Sequence, residues 1–126
     1  MIGDEVLTYH QLRIGEPLPK IEKGAEVYFS VDKIDDSEFI IALCRNLIEA
    51  GVKSIYFSGE KKEVWNRYFE LAETDRYPGR PLGDVIMSTM CSQNELAQLV
   101  EHSRYEHIWF LYDTYFGDLL MKKDRS

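Results

Sequence analysis

Cysteine is scarce in this chain: Cys44 and Cys91 are the two in 126 residues, with 46 residues between them. That spacing excludes a disulfide scaffold and a zinc finger, which need several closely spaced thiols or imidazoles. Long apolar runs are missing as well, and none reaches the roughly 20 residues of a membrane-spanning helix. The opening stretch MIGDEVLTYHQ has Asp4 and Glu5 where a secretory signal carries basic residues, so the expected address is the cytoplasm. Positive charge is also in short supply, with 15 Lys/Arg against 22 Asp/Glu and a net charge of −7. Residues 1–60 hold eleven acidic and six basic side chains, and so carry −5 of that total. An acidic field repels phosphate backbones and anionic membranes, which argues against direct nucleic-acid or membrane binding and favours a basic partner. Neither a repeat nor a low-complexity tract interrupts the chain.

What is present fits one globular domain spanning 1–126. The hydrophobic fraction of 44% and charged fraction of 29% are ordinary, and the 13% of aromatic residues supply large surfaces for burial. A chain of this length buries roughly two-thirds of its unfolded surface in a single core.

Periodicity predicts alternating strands and helices. EVYFSV (26–31) reads as a strand. A helix then opens on Asp35 as N-cap, with Glu38 in capping-box spacing, and stops at Gly51. Its apolar face is Ile40, Leu43, Cys44, Leu47 and Ile48, recurring every three or four residues. VKSIYF (52–57) forms the next strand and leads through Ser58-Gly59 into a helix beginning near Glu60, with Val64, Trp65, Tyr68, Leu71 and Ala72 facing inward. That helix is expected to end before TDRYPGRPLGD (74–84), where glycine and proline oppose regular structure. Asp84 to Met90 resumes as a strand, and Ser92 with Glu95 makes a second capping box before a shorter helix whose Leu96, Leu99 and Val100 face the core. HIWFLY (107–112) is apolar on both faces, as in a covered parallel sheet. Residues 115–123 suggest a closing helix with Lys122 and Lys123 at its negative end. LTYHQLRI reads as an added edge strand and EPLPKIEKG as an irregular connection. The fold class is therefore α/β, a Rossmann-like or flavodoxin-like layered fold of four mostly parallel strands with a possible extra edge strand. The favoured order of the four is 2-1-3-4, with 3-2-1-4 as the alternative.

In such a sheet ligands gather at the carboxyl edge of the strands. This edge receives Asp32, Asp35 and Asp36, then Ser58, Gly59 and Glu60, then Cys91 to Asn94, and finally Asp113, Thr114 and Tyr115. It is acidic and lacks the glycine-rich turns that cradle phosphate. A receiver-type Mg²⁺ site would need a phosphoacceptor Asp ending its third strand, and of the four strong strands none in the middle ends in Asp. Cys91 at a strand-to-helix turn resembles a nucleophile's position, but His102 and His107 belong to the opposite edge, roughly 20 Å away at about 3.3 Å per strand residue. A small, partly buried thiol is the expected state of Cys91, and Cys44 belongs to the core. His102 and His107 have poor spacing for a metal. Arg76, Arg80 and Arg104 read as solubilising loop charges or an anion cluster. No catalytic set, cofactor or metal is expected.

A small acidic α/β chain with EVYFSVD at its first strong strand and RYEHIWFLYDTYFGDLLMKK at 104–123 resembles the immunity proteins of bacterial contact-dependent growth inhibition systems. The resemblance implies a non-enzymatic protein that binds and neutralises a cognate basic nuclease toxin, such as an RNase. Nucleases are basic around their active sites, so an acidic surface can occlude them as a mimic of their substrate. The candidate partner-binding face is Asp32, Asp35, Asp36, Glu60, Asp113, Tyr115 and Asp118. The alternative is a regulatory domain that takes a small ligand or Mg²⁺ at the carboxyl edge.

Overall fold

Apolar strands alternating with amphipathic helices build a layered α/β fold in the computed structural model, which describes residues 6–80, 86–101 and 107–113. The elements are β1 (Val6–Gln11), β2 (Glu26–Ser30), α1 (Ser37–Ala50), β3 (Ser54–Ser58), α2 (Lys62–Arg76), β4 (Met87–Met90), α3 (Gln93–Glu101) and β5 (His107–Tyr112). The strands form one five-stranded, all-parallel sheet in the order β1-β5-β2-β3-β4. Segment 6–11 is the extra edge strand. Counting only the four strong strands, the order is 3-2-1-4, so the favoured 2-1-3-4 is corrected: the last strand returns to the far side of the first.

Right-handed crossovers then fix which face each helix covers. The steps β2 to β3 to β4 run one way and place α1 and α2 together; the step from β4 back to β5 places α3 on the other face. On the first face Val27, Phe29, Ile55 and Phe57 meet Ile40, Leu43, Leu47, Trp65 and Phe69, all fully buried. The irregular connection from β1 to β2 covers the rest of this face, laying Leu12 and Ile21 into the same core. It is tied down where the Trp109 indole donates to Glu22 at 2.6 Å. Burial pushes the Glu22 carboxyl up, but the Trp109 bond, its own backbone N–H and the nearby His107 together hold it below its usual value. On the second face Leu96 and Val100 of α3 pack with Cys91, Tyr28, Ile108 and Phe110. β5 lies inside the sheet with both faces packed, which is why HIWFLY lacks polar alternation.

Several local expectations shift by a residue or a turn. The N-cap of α1 is Asp36, whose extended backbone (φ −68°, ψ 115°) lets its carboxylate accept from the Phe39 N–H at 2.9 Å. Asp35 reaches Lys61 instead, at 3.4 Å. Gly51 closes α1 in the left-handed region (φ 77°), as its position suggests. α2 starts at Lys62 rather than near Glu60, and it continues through Asp75 and Arg76. The break comes only at Tyr77, whose ψ of 68° leaves the helix because Pro78 follows. Its buried face is Trp65, Phe69, Ala72 and Glu73, so Phe69 takes the inward place expected of Leu71, which is 55% exposed. Leu99 likewise lies on the flank of α3, exposed beside Leu96 and Val100. The Ser92–Glu95 capping box forms as expected, with Ser92 N–H to Glu95 at 3.0 Å and Glu95 N–H to Ser92 Oγ at 3.1 Å. The Ser92 backbone N–H, helped by the Ser92 hydroxyl and the Lys62 ammonium, holds the Glu95 carboxyl below its usual value. The suggested closing helix at 115–123 lies outside the described residues.

One turn admits only glycine. Gly59 sits at φ 101°, and a Cβ there would come within 2.4 Å of the Val31 carbonyl oxygen. The close approach lets the Lys61 N–H reach that same oxygen at 2.8 Å, while Ser58 Oγ donates to the Phe29 carbonyl at 2.6 Å. Gly59→Ala combines a disfavoured backbone conformation with a backbone clash and should cost about 2–5 kcal/mol, read as a lowered urea midpoint with unchanged slope.

Candidate functional site

The carboxyl edge of the sheet is knitted together by its own carboxylates. β5 delivers Asp113 beside the end of β2, where the Asp113 N–H bonds to the Ser30 carbonyl at 3.0 Å. From there its side chain accepts three backbone N–H groups of the β2–α1 loop: Asp32 at 2.8 Å, Lys33 at 2.9 Å and Ile34 at 2.7 Å. Asp32 repeats the device one strand further on, accepting the Glu60 N–H of the β3–α2 loop at 2.8 Å. Two aspartates thus bind three successive loops.

The position matters chemically. The order of strands reverses between β2 and β5, and this switch point is where parallel α/β sheets receive ligands. Backbone N–H groups after the first crossover strand are those that would cradle a phosphate there. Here an internal carboxylate takes them. The open space lies instead toward β3 and β4, where a cleft of about 530 Å³ is lined by Asp32, Gly59, Glu60, Lys62, Glu63, Cys91, Ser92 and Gln93. Three carboxylates and one ammonium border it, so it favours a cation over an anion.

The expected partner face is accordingly divided. Asp32 and Asp113 hold loops and Asp36 caps α1, so their carboxylates are bound within the fold. Asp35 pairs with Lys61 while staying largely exposed. Glu60 is exposed at the mouth of the cleft, and Glu63 in the first turn of α2 joins it. Sequence reasoning passed over Glu63, although its spacing of three from Glu60 is a signal for one side of a forming helix turn. Tyr115 and Asp118 lie outside the described residues.

Cys91 lines the cleft but is 5% exposed, with its thiol 3.7 Å from the Phe57 carbonyl. Burial, reinforced by Glu95 and partly offset by Lys62, pushes its pKa up to about 11, the wrong direction for a nucleophile. Burial raises Cys44 further, in the core. His107 lies at the opposite end of the sheet, at the start of β5. His10 pairs with Leu111 on the edge strand β1, four strands from β4 and roughly 19 Å away at about 4.8 Å per strand. Among the described residues no three His, Cys, Asp or Glu side chains group as metal ligands, and no helix is long and apolar enough to cross a membrane. Of the expected arginine cluster, Arg76 donates to Glu49 at 2.9 Å and lies 4.8 Å over Tyr77, while Arg104 lies outside the described residues.

Comparison of the chain with protein-family models, with curated proteins and with solved structures finds no match in any of the three.

Two measurements check this reading of the edge. Asp113→Asn keeps the shape but loses the charge that three N–H donors share, and should lower stability by about 2–4 kcal/mol in denaturant titration. The second concerns Cys91: its reaction rate with iodoacetamide should climb about tenfold per pH unit from pH 8 to 10. A plateau near pH 9 would show an ordinary exposed thiol.

Proposed function

We propose that this chain is a non-enzymatic, cytoplasmic immunity protein that binds a basic nuclease toxin, an RNase being the fitting target, and blocks its substrate site. The observation that carries the reading is the division of the carboxyl edge. The donors that would receive a phosphate are taken by Asp113, while Glu60 and Glu63 turn their charge outward around an open cleft. Such an edge repels nucleotides and attracts the Lys/Arg surface of a nucleic-acid enzyme. The net charge of −7 extends the same field over the molecule and would steer encounter.

The structure also sharpens which residues to vary. Reversing Asp32, Asp36 or Asp113 would disturb loops, whereas Glu60→Lys with Glu63→Lys changes charge at solvent-facing positions. With the nuclease domain of any toxin found to be encoded beside this gene, we expect stoichiometric inhibition and an association rate that falls steeply with salt. The double reversal should slow association by about tenfold or more and flatten that salt dependence. Absence of inhibition overturns the assignment, and unchanged rates in the variant overturn the face.

A second reading is favoured by the outward carboxylates of Glu60 and Glu63 around one cleft: a regulatory domain taking a small organic cation, since among the described residues no three such side chains group to hold a metal ion. Stoichiometric heat on titrating a polyamine such as spermidine into the protein alone would favour it over the immunity role.

A further inference from the structure

β4 is the outer strand of the sheet, and among the described residues no strand covers its far side. Exposed sheet edges are ordinarily guarded by charge, proline or a bulge. Met87-Ser88-Thr89-Met90 has no charged residue, no proline and no positive φ. Met87 and Met90 are instead 52% and 46% exposed, and Leu99 of α3 lies open at 36%.

The hydrogen-bonding groups along this edge follow a fixed parity. The N–H groups of Met87 and Cys91 bond to the Lys53 and Phe57 carbonyls of the β3 segment, at 3.4 and 2.9 Å. Alternation therefore turns the N–H and C=O groups of Ile86, Ser88 and Met90 outward.

We propose that this edge pairs with the same edge of a second copy, antiparallel about a two-fold axis at Ser88, so that one sheet runs through both molecules. A two-fold perpendicular to the sheet keeps each face on its own side, so the axis must pass beside a residue that meets its own counterpart. Ser88 has its hydrogen-bonding groups free to do so, whereas those of Thr89 point toward β3. Centring on Ser88 pairs Ser88 with Ser88 of the second copy, and Ile86 with Met90 in both directions. Met90 then lies beside the buried Ile86 of the second copy on the α2 face, and Met87 meets Thr89 on the α3 face.

A stable interface needs roughly 800 Å² from each side, more than a four-residue strand supplies. α2 contributes the remainder because it packs on β3 and β4 alike. Lying over the outermost two strands, it comes near enough to the two-fold for its mate to reach it. Helical spacing places Asn66 and Glu70 on that flank, opposite the side where Asp75 meets Arg45 of α1. The strand itself brings no charge against its copy, while a basic partner finds its carboxylates at the sheet's carboxyl edge, so a second copy is the occupant that fits β4. Glu70 does meet like charge, and with −7 on each molecule, added salt should tighten the pairing. Binding of a basic nuclease has the opposite salt dependence, so either assignment can fail without the other.

Sedimentation equilibrium of the full chain, from low to several hundred micromolar, tests this. The average mass should rise from 14.8 kDa toward twice that value, and more readily at higher salt. Ser88→Pro removes an outward N–H and leaves the ladder to β3 intact; Met90→Lys adds the missing guard. Each should weaken association by at least about tenfold with unchanged far-UV circular dichroism. A chain that stays monomeric throughout overturns the proposal, as does a dimer that survives both substitutions.

Discussion

Three backbone N–H groups converge on the Asp113 carboxylate, and the carboxyl edge of the sheet takes its shape from that convergence. A loop leaving a buried parallel strand carries donors that water can reach only in part, so they must be satisfied locally or by a ligand. Asp113 satisfies them from a strand 81 residues further along the chain. Asp32, positioned by that contact, secures the next loop in turn through Glu60. Charge-assisted bonds of this kind are stronger than neutral ones, and two side chains consequently set three loops. The same arrangement occupies the backbone donors that parallel α/β sheets can offer a phosphate at this point, so the stability of the edge and the engagement of those donors have one cause.

Much of the architecture was legible in the sequence because it is written in short-range patterns. The 3.6-residue recurrence of Ile40, Leu43, Cys44, Leu47 and Ile48 locates α1, and the Ser92–Glu95 spacing locates the start of α3. The errors occur where neighbouring residues compete for one role. Asp35 and Asp36 are equally good caps by type, and backbone geometry chooses between them. Leu71 is as apolar as Phe69, but the helix phase set by Trp65 and Ala72 leaves Leu71 outside. Strand order was less legible, since connection rules permit both arrangements and only the packing of β5 against β1 and β2 decides.

The candidate site was half legible. An acidic edge follows from which residues end the strands. That Asp113 and Asp32 spend their oxygens on backbone donors does not, because those bonds join segments with no sequence relation. A count of carboxylates therefore overstated the charge free to meet a partner and missed Glu63, which a helix turn brings round to the cleft. Cys91 makes the related point for chemistry: a position favourable to a thiolate is overruled by burial and by Glu95.

The placement of β5 between β1 and β2 governs the order in which the molecule can assemble. During synthesis β2, β3 and β4 can pair as soon as they emerge, but among the described residues β1 pairs only with β5 and must wait while almost a hundred residues are added. Val6 then finds His107 in a contact that spans most of the chain. It is the pairing of β5 with β2, on its other side, that brings Asp113 to its donors, so the arrival of β5 both completes the sheet and fixes its loops. Until β5 docks, the loop that follows β2 lacks the carboxylate that shapes it, and the candidate binding edge is unfinished.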